Sequence, residues 1–110
     1  MRILTPKQFL EEPYGITYIQ FIPEMYIGNL AIKSEDRGIN SWWATDIVPW
    51  TIGDEEFETW RNDKTYELKT EGFTTDDAVY NHDDNVLYAV FNKKEVQGMI
   101  SRLQKSLESY

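Results

Sequence analysis

His82 is the only histidine in the chain, and it sits in the run Asn81-His82-Asp83-Asp84-Asn85. A histidine with carboxylates beside it could act as a general base or hold a metal ion. The same residues also make a solvated turn ahead of a strand, because Asn and Asp bond their own backbone. The turn reading is the stronger one: adjacent residues seldom converge on one point, and there is no second histidine. Asp76-Asp77 and Asp83-Asp84 suggest calcium, but calcium loops alternate their ligands and turn on a glycine, and none lies between these pairs. No serine stands in a Gly-x-Ser-x-Gly context, and the glycines are scattered singly, so neither a nucleophile elbow nor a phosphate loop is present. With no cysteine, thiol nucleophiles, disulfides and zinc–thiolate sites are excluded. Carboxylate pairs for glycoside hydrolysis leave no spacing signature, because folding sets their separation, and nothing marks any pair out. The expectation is a protein that is not an enzyme and that uses no metal and no cofactor.

The more informative chemistry is collective. Between Asp46 and Asp84 stand 12 acids against 3 bases, a net of −9 in a chain whose total is −8. Such a field repels nucleic acid and anionic membrane, and it favours basic protein surfaces or cations. Solubility alone is the competing explanation, since a strongly charged domain stays dispersed without any partner. The four tryptophans, Trp42, Trp43, Trp50 and Trp60, fall in or beside the same stretch. Trp50, next to a proline and followed by Thr51-Ile52-Gly53, is the best candidate for an exposed anchor. The candidate partner-binding set is therefore Trp50, Asp54, Glu55, Glu56, Glu58, Asp76, Asp77, Asp83 and Asp84.

The elements that must position these residues follow from local signals. Thr5-Pro6-Lys7-Gln8 opens a short helix, with Thr5 as cap and Gln8 closing a capping box. Pro13 and Tyr14-Gly15 end it. Ile16 to Ile22 is β-branched and aromatic, hence a strand, and Asn29 to Lys33 is its returning partner. Ser34 to Asn40 reads as a polar loop. Ser41 to Val48 alternates as a strand, although Trp43 and Ile47 are also four apart, as a helix would place them. As a strand it sends Trp42 and Trp43 to opposite faces, one to the core and one outward. Asp54 to Arg61 is a short helix with acids in its first turn and Phe57 and Trp60 on its apolar face. Thr65 to Thr70 alternates like a half-buried strand, and Thr75 to Val79 suggests a single helical turn. Val86 to Phe91 is the clearest strand and is central. Asn92 with Glu95 caps the last helix, whose apolar face is Val96, Met99, Ile100, Leu103 and Leu107.

At 110 residues this is one domain over 1–110, with enough apolar content to fold. The expected class is α+β: an antiparallel or mixed sheet of four or five strands, one or two short helices, and the C-terminal helix packed on one face. No apolar run approaches a membrane span, and the first residues lack the apolar core of a signal peptide, so a cytoplasmic location is expected.

The two ends carry a likeness of their own. Arg2-Ile3-Leu4-Thr5-Pro6 with Phe9, Leu10, Pro13, Gly15, Tyr18, Phe21 and Pro23, and Leu87-Tyr88-Ala89-Val90-Phe91 with Glu95, Val96, Ile100 and Leu103, resemble small acidic proteins of bacteriophages and prophages. These positions are caps, turns and core, so no binding residue is carried over. What the resemblance implies is context: a phage-encoded binder or inhibitor of host factors, defence systems included, acting in the host cytosol. The expected function is binding a basic surface of a host protein, in one version as a nucleic-acid mimic, without direct nucleic-acid or membrane binding. A sequestering protein for a nucleotide signal, using bases such as Arg37, Arg61 or Lys64, is the alternative. A small metal-dependent enzyme around His82 is the third. Oligomeric state, homodimer included, is left open.

Overall fold

The computed structural model describes residues 1–38, 40–48, 54–67, 75–79 and 85–110, with backbone alone at 26, 36–38, 75–77 and 79. The strands are β1 (Arg2–Leu4), β2 (Thr17–Ile22), β3 (Tyr26–Gly38), β4 (Ser41–Asp46), β5 (Thr75–Val79) and β6 (Leu87–Val90). The helices are α1 (Pro6–Leu10), α2 (Asp54–Asn62) and α3 (Lys93–Leu107). Among the described residues six strands form one sheet in the order β1-β6-β2-β3-β4-β5, every neighbouring pair antiparallel. The α+β class stands, with β1 raising the strand number above four or five.

The register divides the apolar side chains between two faces. On one face Tyr18, Ala31, Trp42, Ala44, Tyr88 and Val90 form the core, and α1 covers them. Phe9 is the side chain that α1 inserts. It is fully buried, its ring stacked on Tyr88 at 4.2 Å and tilted against Tyr18 at 4.6 Å and Trp42 at 5.2 Å. Trp42 Nε1 donates to the Tyr18 hydroxyl at 3.1 Å, and burial pushes that hydroxyl's pKa up. The Thr5–Gln8 capping box starts α1 as expected. Gly15, at φ +90°, turns the chain into β2, a conformation that favours glycine.

Lys33 is the unexpected core residue. It is 1% exposed, and its ammonium donates to the carbonyls of Phe9 (3.1 Å), Leu10 (3.1 Å) and Glu12 (2.7 Å). Those carbonyls belong to the end of α1 and the residues after it, where orphan acceptors and the helix dipole both favour a cation.

The segment after α1 is tied to β1 by a bidentate pair, Arg2 Nη1 to Glu12 Oε1 at 2.6 Å and Nη2 to Oε2 at 3.1 Å. The hydrogen bond from Arg2 holds the Glu12 carboxyl below its ordinary value of 4.5. A depressed carboxyl stabilises the fold above its unfolded pKa and loses that contribution as pH falls through the folded value. Glu12→Gln is therefore expected to remove part of the acid-side loss of stability below pH 4.5. Urea midpoints of both chains at neutral pH and in acid check this; parallel pH profiles would refute it.

Four local expectations are corrected. The loop expected over Ser34 to Asn40 is a strand as far as Gly38, where β3 ends, pairing Asp36 with Trp42 and Gly38 with Ser41 across two irregular steps, and Asn40 lies in a turn. Pairing to the apolar β4 overrides the polar composition there. Thr75–Val79 is a strand rather than a helical turn, because it pairs along Ser41–Thr45 and brings Ala78 to the core. Thr65 and Tyr66 lie in a turn after α2 rather than in a strand; Leu68 to Thr70 fall outside the described residues.

The fourth correction is the largest. The helix α3 forms where expected, capped by the Asn92–Glu95 box, but it does not pack on a sheet face. None of its residues is buried, and Ile100, Leu103 and Leu107 are 51%, 64% and 69% exposed. The radius of gyration, 16.5 Å, exceeds the roughly 13 Å of a compact domain of this length. Amphipathicity dictates that the stripe needs a cover, but it does not say which surface supplies it.

Candidate protein-binding face

The acids of the candidate set that the structure describes with side chains are all on α2. Asp54, Glu55 and Glu56 occupy its first turn, where the positive end of the helix dipole favours them. At about 100° per residue, Asp54, Glu58 and Glu55 fall within one arc of about 100°. All three are exposed. Glu56 points elsewhere: it is half-buried, and its Oε1 accepts from the Tyr66 hydroxyl at 2.9 Å. That hydrogen bond raises the pKa of Tyr66.

Phe57 and Trp60 form the adjoining face, ring centroids 5.8 Å apart, as their i, i+3 spacing predicts. The nearby bases are turned onto these rings. The Arg61 guanidinium stands 4.9 Å from the Phe57 centroid, and the Lys64 ammonium 3.8 Å from that of Trp60. Arg61 also meets Glu58 at 3.2 Å, both side chains exposed. Among the described residues, neither Asp54 nor Glu55 meets a base. The chain leaves α2 through a turn in which the Asp63 carboxylate accepts from the Thr65 hydroxyl (2.6 Å) and backbone N–H (3.0 Å), which lowers the pKa of Asp63. The result is a short helix with an acidic arc beside an aromatic pair, 39% of Phe57 exposed.

Asp76 and Asp77 lie on β5, at the end of the described sheet order, in register with Ala44 and Trp43. Consecutive acids on an edge strand also discourage pairing with another sheet. Trp50, Asp83 and Asp84, with His82, lie outside the described residues. The candidate set is thus brought together on α2 for Asp54, Glu55 and Glu58, and is placed on a separate element for Asp76 and Asp77. Lys64 is the contributor that sequence reasoning missed in this role, although its i, i+4 spacing from Trp60 was visible.

A second feature is an open groove of about 660 Å³ along β3 and β4, lined by Tyr14, Ile32, Lys33, Ser34, Glu35 and Trp43. Trp43 is half-buried here, on the face opposite Trp42, as strand alternation requires. The buried Lys33 ammonium is committed to three carbonyls, and Glu35 is exposed. Arg61 and Lys64 stand instead on α2 and the turn after it, so this groove offers little to an anionic nucleotide. Among the described residues no group of three or more metal-ligating side chains converges, and no helix is long and apolar enough to cross a membrane. Comparison with protein-family models, curated proteins and solved structures gives no match.

Proposed function

We propose that the chain is a non-enzymatic interaction protein whose α2 face docks on a basic patch of a partner protein. The observation that supports it is the exposed arc of Asp54, Glu55 and Glu58 beside Phe57 and Trp60, with Lys64 turned onto the Trp60 ring and Arg61 shared between the Phe57 ring and Glu58. Acids fixed on a helix at regular spacing resemble a run of phosphates, so a basic groove built for nucleic acid is a suitable target. The aromatic pair supplies the apolar contact that charge alone lacks, because interface energy concentrates in such residues. Following the resemblance to phage and prophage proteins, the partner is a host protein, defence systems included, met in the host cytosol, and binding inhibits it.

The test is affinity purification of the tagged chain from its host, followed by association kinetics with the recovered protein. Association is expected to slow about tenfold or more from low to high salt. Neutralising the arc with Asp54→Asn, Glu55→Gln and Glu58→Gln is expected to slow it by about tenfold at low salt. A partner that associates equally fast with the neutral variant, at any salt, would sink the reading.

A further inference from the structure

Among the described residues two apolar surfaces lack a cover, and they match each other. The first is the stripe of α3, Ile100, Leu103 and Leu107, continued just past the helix by Tyr110, the last 99% exposed. The second is the sheet face opposite the core. There Ile3, Ala89, Ile19, Leu30 and Ile47 form one row across β1, β6, β2, β3 and the end of β4. None of the five belongs to the core cluster: Ile3 is 48% exposed, Ile19, Leu30 and Ile47 are half-buried and Ala89 is buried, and among the described residues no helix packs along the row. Helix and sheet layers are stable when each buries its apolar side.

Within its own chain the helix meets only the end of this face, where Thr17 and Phe91 stand on the side of Ile19 and Ala89. The Asn92–Glu95 box fixes its first turn, and Val96 and Ile100 share a crevice with Ile16, Thr17 and Phe91 at the end of the sheet. From there α3 runs on past the fold. We propose that the cover is a second copy of this chain: a two-fold dimer in which α3 of each protomer lies on the open sheet face of the other.

Helix length and charge agree with this occupant. The 15 residues of α3 run about 22 Å, against about 19 Å across a row of five strands. Residues 93–110 hold four bases and two acids, a net of +2, whereas the rest of the chain sums to −10. Each helix is therefore attracted to the body of its partner. The exchange is isologous, so it closes at two copies. The same stripe repeats at 4-3-4-3 spacing from Val96 to Tyr110, a pattern that also suits pairing between two α3 helices. That arrangement would leave both sheet faces bare, and so the helix-on-sheet exchange is preferred.

Light scattering and disulfide trapping test the proposal, and the cysteine-free sequence makes trapping unambiguous. At about 100 µM, where a micromolar interface is saturated, the chain is expected to run at twice its mass of 13.0 kDa. Leu103→Glu with Leu107→Glu, both sites exposed in the single chain, is expected to halve that mass and leave the folded circular-dichroism signal intact. An Ile19→Cys chain mixed with a Leu103→Cys chain is expected to give a covalent dimer on mild oxidation, and Leu103→Cys alone none. A monomeric wild-type chain overturns the proposal. So does a crosslink formed by Leu103→Cys alone, which would show the helices paired with each other. An undiminished mass in the double glutamate variant would also overturn it.

Discussion

Lys33→Met is expected to cost the fold about 3 kcal/mol, although methionine keeps most of the buried stem. The ammonium donates to three carbonyls from the end of α1 and the residues after it, and its removal leaves those buried and part-buried acceptors without their donor. An unsatisfied buried acceptor costs about 1–3 kcal/mol, and hydrogen bonds from a charged group are the stronger kind. The same charge stands 5.0 Å from the Phe9 ring, 5.5 Å from Tyr14 and 5.7 Å from Trp42, so it also joins α1 to the sheet beneath it. One term opposes this: removing a buried charge removes its desolvation cost, which prevents the three bonds from adding fully. At about 4–8 °C per kcal/mol for a domain of this size, the melting temperature should fall by more than about 10 °C. Thermal and urea unfolding of the two chains measure it. A shift of only a few degrees would mean that the lysine is a passenger and that the ring cluster alone holds α1.

Lys33 also shows where sequence reasoning stops. The alternation of Leu30, Ala31, Ile32 and Lys33 already puts Lys33 on the side of Ala31, but a lysine in a strand is ordinarily read as solvent-facing. What buries it is the return of α1 over the sheet, a contact 24 residues away. Signals confined to a few neighbours were legible: both capping boxes, the turn at Gly15, the strand β6 (placed second in the sheet order rather than at its centre) and the Phe57–Trp60 pair. Features set by pairing at a distance were not. The polar half of β3 is a strand because β4 lies beside it, and Thr75–Val79 is extended because it pairs with β4. For the candidate face, composition located the acids of α2 but grouped Glu56 with the exposed Asp54, Glu55 and Glu58. The tyrosine that receives Glu56 lies beyond the helix, where periodicity carries no information.

Trp42 and Trp43 are adjacent in sequence, and their substitution should have unequal consequences. Trp42→Ala is expected to destabilise by about 3–5 kcal/mol, since it empties the largest side chain of the core. The loss has two separable parts. Trp42 packs edge-on against Phe9 and Tyr88, and its Nε1 donates to the Tyr18 hydroxyl. Tyr18→Phe removes only the acceptor and should cost about 1–2 kcal/mol, so the remainder reports the cavity and the lost ring contacts. Trp43→Ala should cost less than Trp42→Ala, because its side chain is half-buried on the other face of the sheet, outside the core cluster. Urea unfolding at low protein concentration, where association does not contribute, compares the three. A Trp43→Ala cost equal to that of Trp42→Ala would mean that the second face is already covered in the single chain. If the ordering holds, the second face is free to act between molecules, and a Trp43 variant should alter association before it alters folding.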